Sequence, residues 1–330
     1  MRKREYPSSV TIAVFLTAVL VSWPTAAAAA GPSGSEAEKV SRIGRAGDFQ
    51  MERTKANSSP LALRLYGGFS RAKAGDLDAG LDGYFEILEL YQAWGFGSAT
   101  GGYNSPFRAG YDAGADLVVQ ISRGIGIGIG AGYLRFSKSS LMTFSHESES
   151  YELSVTPTLS AVPIRLGVFL TLPLGQRLNL TINGGAVAYA QLKLDARYRT
   201  DIFGSEMGEQ SYSASGGGPF KNLGYEGSLG FEFMVSRNTG IFIEAVGRYA
   251  RLENFEKATR SSRTNGDSST TEGRLYLESF TATDGQREYI WDAFAVEETP
   301  PVSPTPSIRY SEPKIDLSGF SLQAGLRIRL

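Results

Sequence analysis

The chain has a single histidine, His146, which lies two residues before a serine in the segment His146-Glu147-Ser148. A serine hydroxyl becomes a nucleophile when a nearby imidazole takes its proton and a carboxylate orients that imidazole. Glu149 and Glu152 follow closely and could supply the carboxylate. The same stretch is rich in serine and glutamate, which is typical of a solvated polar loop. We favour the loop interpretation and keep ester hydrolysis as a remote alternative.

No other segment has the residues of a known site, since the sequence lacks a metal-ligand cluster, a phosphate loop and a nucleotide fingerprint. The alternating glycines between Gly126 and Gly132 fit a strand and not a dinucleotide turn. We therefore predict no catalytic, cofactor-binding or metal-binding residues, no cofactor and no enzymatic activity. The formal charge of −1 argues against a nucleic-acid partner.

The chain divides into three segments by composition. Residues 1–30 resemble a secretory signal peptide, because Arg2, Lys3 and Arg4 precede an apolar run that ends in small alanines. Residues 31–59 are polar and have no sustained apolar period, so we predict a flexible periplasmic lead-in. Residues 60–330 alternate between apolar and polar side chains with the period of a β-strand.

This alternation defines eight predicted strands. Their apolar face includes Leu117, Val119, Ile127, Leu229 and Leu326, which we assign to lipid. In the fourth strand, residues 151–172, the apolar phase slips, and we predict a bulge near residues 161–163. In the fifth strand the predicted apolar face runs from Leu178 to Leu192 and Leu194.

The connections between these strands alternate in length. The long ones are residues 71–105, 137–150, 197–221 and 252–313, and the short ones are 122–124, 173–177 and 236–240. Such alternation is typical of a transmembrane β-barrel with short periplasmic turns, long extracellular loops and both termini periplasmic. We predict an all-β, antiparallel, up-and-down barrel of eight strands. A soluble β-sandwich and a ten-stranded barrel are the alternatives.

Charged side chains occupy the opposite, lumen-facing positions of these strands. They are Arg64, Asp112, Asp116, Arg165, Glu226, Glu232, Glu244, Arg248, Arg327 and Arg329. Because unpaired charges in so narrow a space are costly, we predict a salt-bridge network across the lumen. Eight strands enclose little more than their own side chains, so an open channel is not expected.

Two of the long connections carry their own structural signals. Residues 76–91 place apolar side chains at helical spacing, with Asp78 as a candidate cap, and predict a short helix over the barrel mouth. It either packs against the loops or exposes an apolar patch for a hydrophobic ligand. Residues 274–282 and 287–296 flank an Asp284-Gly285 turn and predict a hairpin.

Together these features make residues 60–330 similar to the eight-stranded outer-membrane barrel superfamily that includes the OmpW and OmpX types. The resemblance implies contact with outer-membrane lipid and lipopolysaccharide, and biogenesis through periplasmic chaperones and the barrel assembly machinery. That machinery reads an alternating C-terminal strand ending in an aromatic residue, and here Leu330 replaces the aromatic. The implied function is structural or ligand-binding through extracellular loops. Transport of small, hydrophobic molecules is the alternative, and the His-x-Ser spacing resembles that of lipid A deacylases.

Overall fold

A computed structural model describes residues 60–147, 149–202, 205–216, 222–253, 255–264, 267–283, 288–303 and 305–330. All of these residues belong to one compact unit, Asn57–Leu330. The predicted signal peptide, residues 1–30, and the predicted lead-in, residues 31–59, lie outside the described residues.

Most of the described chain is β-strand, as the alternating sequence predicts, and neighbouring strands satisfy each other's backbone hydrogen bonds. The strands are β1 (Leu61–Ala72), β2 (Ser98–Gly102), β3 (Gly110–Ser122), β4 (Ile125–Ser137), β5 (Ser140–His146), β6 (Glu149–Pro173), β7 (Leu178–Ile202), β8 (Ser205–Ser215), β9 (Leu223–Met234), β10 (Thr239–Leu252), β11 (Lys257–Thr264), β12 (Asp267–Thr283), β13 (Glu288–Glu297), β14 (Ile308–Ser311), β15 (Ile315–Asp316) and β16 (Gly319–Arg329). One α-helix, α1 (Asp76–Ala93), follows β1, and a short 3-10 helix (Pro106–Arg108) precedes β3. No helix in the described part of the chain is long and apolar enough to span a membrane.

Eight strands close into a ring. In order they are β1, β3, β4, β6, β7, β9, β10 and β16, each antiparallel to the next, and β16 pairs with β1. Closure leaves no edge within the ring, which is what a lipid environment requires of β-structure. The eight-stranded barrel prediction is confirmed, and the sandwich and ten-stranded alternatives are wrong.

The stagger of the ring sets the width of its interior. Stepping through directly opposed residues from Leu61 on β1, once around all eight strands, returns to Arg71 on β1, a stagger of 10 residues. Such a stagger tilts the strands strongly and leaves a bore that side chains fill.

The outward face of the ring is apolar and uncovered, as the alternation predicts. Leu117, Val119, Ile127, Leu229 and Leu326 are all between 40% and 48% exposed. In water these surfaces would be an aggregation hazard, whereas against lipid they are matched to their surroundings. All five side chains face outward, as the alternation predicts.

The ring has two unlike ends. At one end, called here the turn end, the short connections 122–124, 173–177 and 236–240 join strands as predicted. At the opposite end, called here the sheet end, the predicted long loops are largely extra strands. The β5–β6 and β7–β8 hairpins occupy most of the described residues of the predicted loops 137–150 and 197–221.

The extra strands build a sheet that continues the barrel wall. From β6 it runs through β5 to β2, and from β7 through β8, β11 and β12 to β13. The predicted hairpin is confirmed as β12 and β13, with Thr283 opposite Glu288. It lies outside the barrel ring, as expected.

The register between β6 and β7 differs from the sequence prediction. Val162 opposes Gln191 and Pro163 opposes Tyr189, so the predicted irregularity is present but the extra residue is Ala190, on β7. Beyond that bulge the faces of β7 exchange. Leu192 and Leu194, assigned to lipid, point inward instead and are at most 2% exposed.

Candidate functional site: the barrel interior and its cap

Arg64 occupies the centre of the lumen. Its guanidinium donates to Glu244 at 2.8 Å and to Asp116 at 3.5 Å. The ring of Phe242 lies 4.2 Å from the guanidinium carbon. Aromatic faces and two carboxylates thus surround one buried cation, which holds three strands together across the bore.

Two further arginines extend the network toward the sheet end. Arg165 approaches Asp116 at 3.7 Å and Glu226 at 3.4 Å. Arg248 donates to Asp112 at 3.3 Å and lies 4.0 Å from Glu226. Because each carboxylate is close to an arginine of another strand, the contacts form one connected layer.

A separate ion pair closes the lumen toward the turn end. Arg327 donates to Glu232 at 3.3 Å, and Asn179 donates to the same carboxylate at 3.0 Å. The predicted salt bridges are therefore confirmed for nine of the ten charged residues. We call these nine residues the lumen charge layer. The tenth, Arg329, makes no salt bridge in the described part of the chain. The amide partners Asn179, Asn183 and Gln323 were not identified from the sequence.

Little space remains between these side chains. The main lumen cavity has a volume of about 40 Å³ and lies among Arg64, Asp116, Arg165 and Glu226. A second, of about 10 Å³, lies between Arg64 and Arg327. Since one water needs ~10–15 Å³ of such volume, these two cavities have room for a few waters, and neither of them forms a channel among the described residues.

An apolar cap fills the sheet end above the charges. The helix α1 buries Leu77, Leu81 and Phe85, each fully inaccessible. They join inward-facing side chains of β4, β6, β7, β12 and β13 in one hydrophobic cluster, which includes Leu134, Phe136, Val155, Leu159, Leu192, Leu194, Leu275 and Phe294. We call this cluster, with α1, the cap. The predicted helix is confirmed. Most of its apolar face packs inside the protein, whereas Tyr91, near its C-terminal end, is 42% exposed.

The start of α1 differs from the prediction. The helix begins at Asp76 after Gly75, whose φ is +63°, and no side chain caps it. Asp78, predicted as the cap, accepts hydrogen bonds from the hydroxyls of Tyr103 and Ser105, both at 2.8 Å. Burial, together with the Asp78 carboxylate, raises the pKa of Tyr103 far above its ordinary value, so this hydroxyl stays a donor.

Two glycines allow α1 to lie directly on β13. A Cβ at Gly83 would lie 1.5 Å from the carbonyl oxygen of Asp292, and one at Gly80 would lie 2.5 Å from the Phe294 ring. The Gly80 carbonyl accepts a hydrogen bond from Tyr198 at 3.2 Å. The backbone of α1 thus packs directly against the sheet, with no side chain of the helix between them at these two positions.

We expect Gly83→Val to loosen the cap, because its side chain would overlap the β13 backbone. The expected loss in the free energy of unfolding is ~1–3 kcal/mol, the usual cost of overpacking. Faster proteolysis within α1 and a lower urea midpoint would record it. Gly175→Val, at a turn with nothing within 4 Å of the new Cβ, is the matched control. Equal behaviour of the two variants would contradict the packing described.

The His146 segment lies at the tip of the β5–β6 hairpin. His146 is opposite Glu149, and both side chains are exposed, as is Glu147, whose φ is +50°. Glu149 accepts a hydrogen bond from Tyr151, and Glu152 is exposed. Ser148 lies outside the described residues. The described members of the segment therefore sit on a solvated tip, away from the cap and the lumen charge layer.

A closed ring with an apolar outer face and a sealed, polar interior defines a transmembrane β-barrel of the outer-membrane type. No protein-family model and no curated protein matches the sequence. Among solved structures, the chain is similar to the outer membrane protein OprG from Pseudomonas aeruginosa, at 8% identity and a TM-score of 0.30, covering 82% of this chain and 95% of that one. It is also similar to a Pseudomonas aeruginosa FadL homologue, at 8% identity and a TM-score of 0.17, covering 82% and 89%. At such scores neither likeness establishes the architecture, which the strand pairing defines by itself.

Proposed function

We propose that this protein is a non-enzymatic outer-membrane barrel that presents a rigid sheet at the cell surface for structure or binding and does not conduct solutes. The observation that supports this most is the double seal of the bore. The lumen charge layer fills the membrane-spanning part, and the cap fills the sheet end above it. A pore would need both layers to move.

The size of the sheet supports a surface role. Strands β6 and β7 are 25 residues each, whereas a strand needs only ~9–11 residues to cross a membrane. More than half of each strand therefore projects beyond the lipid. The outer face of the projecting sheet carries a groove of about 530 Å³. Hydroxyl and charged side chains line it, namely Thr156, Thr158, Asp195, Arg197, Ser211, Ser213, Thr259 and Ser261. Such a face suits a polar partner.

Transport of a small hydrophobic molecule is the second candidate. Its support is local: the 40 Å³ lumen cavity is bordered by lipid-facing Leu166 and Val168 and by Gly167, Gly184 and Gly185, where the wall carries no side chains. A route through the wall would start there. Ester hydrolysis by the His146 segment remains the remote candidate. If that segment were catalytic, cells with His146→Ala would differ from the parent in the acyl composition of the membrane lipid.

Conductance separates the first two candidates. We expect the purified protein in planar lipid bilayers to give no conductance steps above background. We also expect vesicles that contain it to take up small apolar dyes no faster than empty vesicles. Stable conductance steps or accelerated uptake would favour transport and overturn the proposal.

Orientation is tested separately, because a surface role requires the sheet end to face outward and the termini to be periplasmic. In whole cells we expect an impermeant maleimide to label His146→Cys but not Arg123→Cys, which lies in a short turn; the chain has no other cysteine. After permeabilisation both should react. The opposite labelling in intact cells would invert the topology. In the same orientation, the C-terminal strand β16 would be the element that the barrel assembly machinery binds.

A further inference from the structure

A band of aromatic side chains marks one level on the outward face of six of the eight ring strands, toward the sheet end. The most exposed is Phe69 at 80% and the least is Tyr133 at 41%. Its members are Phe69, Tyr111, Tyr133, Tyr225, Tyr249 and Phe320, and we call them the aromatic girdle.

Strand register places these residues side by side. Phe69 opposes Tyr111, and Tyr225 opposes Tyr249. The rings of Tyr111 and Tyr133 are 6.4 Å apart. Aromatic residues at one level, above a band of aliphatic side chains, are typical of the edge of the apolar core of a membrane.

Basic residues follow the girdle on three strands that run toward the sheet end. Arg71 comes two residues after Phe69, and Arg135 comes two residues after Tyr133. Arg251 follows Tyr249 in the same way. A spacing of two keeps each arginine on the outward face and moves it ~6–7 Å further along the strand. All three are exposed.

Cross-strand pairing tightens this arrangement. Arg71 opposes Phe320, and Arg135 opposes Tyr111. Exposed basic residues in the adjoining segments lie beyond them, namely Lys73, Arg108 and Lys138. We call Arg71, Arg135 and Arg251, with these three, the basic collar.

Within the part of the chain that the structure describes, none of the three arginines makes a salt bridge. The guanidinium of Arg251 lies 5.7 Å from the Tyr249 ring. Two acids are near: Asp316 opposes Arg251 but accepts the backbone N–H of Ser318, and Glu253 pairs with Lys314 at 3.5 Å. The collar therefore keeps an excess of positive charge.

We propose that the basic collar binds the phosphate groups of an anionic lipid in the membrane leaflet at the sheet end. Directly beyond the apolar core lies the headgroup layer, so the aromatic girdle fixes the level of the collar at the phosphates. Guanidinium groups bind phosphate oxygens with paired hydrogen bonds and suit this role better than simple point charges. The inference rests on the barrel spanning the membrane as proposed above, and it is independent of what the projecting sheet binds.

Competition between two lipids tests the proposal. The folded protein in neutral phosphocholine micelles is mixed with equal amounts of bisphosphorylated lipid A and dephosphorylated lipid A, and native mass spectrometry counts the bound molecules. We expect a preference for the phosphorylated form that falls about fivefold for each arginine replaced, since one basic residue near an anionic surface contributes ~1 kcal/mol. Arg135→Gln should show one such step, and the triple variant Arg71→Gln, Arg135→Gln and Arg251→Gln should show three.

The matched control removes three exposed arginines from the turn end, as Arg123→Gln, Arg177→Gln and Arg237→Gln. This control variant should keep the preference for bisphosphorylated lipid A. Inorganic phosphate added to the parent protein should displace little of the bound lipid. Unchanged preference in Arg135→Gln and the triple variant, equal loss in the control, or full displacement by free phosphate would each overturn the collar proposal. Insertion into phosphatidylcholine vesicles is scored separately by heat-modifiable migration. Failure of the parent protein to insert would count against the membrane barrel itself.

Discussion

Replacing Arg64 by methionine should lower the free energy of unfolding by ~3–5 kcal/mol, the usual effect of removing one partner from a buried ion pair. Arg64 is the cation shared by Glu244, at 2.8 Å, and Asp116, at 3.5 Å. Both carboxylates are almost inaccessible to water. Without Arg64, Glu244 would lose its one salt bridge in the described part of the chain, and Asp116 would keep only Arg165, at 3.7 Å. Urea titration of the protein in lipid vesicles, followed by heat-modifiable migration, measures the loss.

The control for this variant is Arg197→Met in the projecting sheet. Arg197 also forms a close ion pair, with Glu209 at 2.8 Å, but its side chain is 70% exposed. We expect a change of at most ~1 kcal/mol, as for other solvent-exposed pairs. In addition, Arg64→Met combined with Glu244→Gln should be less destabilised than Arg64→Met alone. If both arginine variants lose the same stability, burial of the lumen pair is not what makes it important.

Leu117→Arg and Leu229→Arg should each cost ~2–4 kcal/mol, because each places a charge near the middle of the lipid-facing surface. Both residues lie on the outward apolar face, at 40% and 48% exposure. Reversible unfolding from vesicles measures the cost, and the yield of folded barrel in outer-membrane fractions gives a second readout.

Thr156→Arg is the matched control, since Thr156 is exposed on the outward face of β6 but lies in the part that projects beyond the aromatic girdle. There the new charge meets water, and we expect little change. Should all three arginine variants fold with equal stability, the surface assigned to lipid would be wrong. Should all three fail equally, the boundary between the membrane and the projecting sheet would lie elsewhere.

The sequence by itself determined the ring. A strand exposes alternate side chains to opposite faces, so lipid-facing Leu117 and lumen-facing Asp116 follow from their positions in one segment. The strand count followed from the number of alternating segments, and the salt-bridge network followed from the cost of leaving Arg64 or Glu244 unpaired. The helix near residues 76–91 was likewise readable from its local spacing.

Only the tertiary structure decided what lies above the ring. Two of the four long connections, residues 137–150 and 197–221, look polar and loop-like in sequence. A hairpin whose two faces are partly solvated leaves no clear apolar period to predict it. One extra residue, Ala190, reverses the faces of β7, and so Leu192 and Leu194 belong to the cap and not to the lipid surface. The swap in β6 from inward Leu159 to outward Ile164 was visible as a phase slip, but its cause is a change of surroundings. At the level of the cap, the inward face of β6 is the one shielded from water, whereas at the level of the membrane it is the outward face. Only the assembled barrel shows where along the strand one level ends and the other begins.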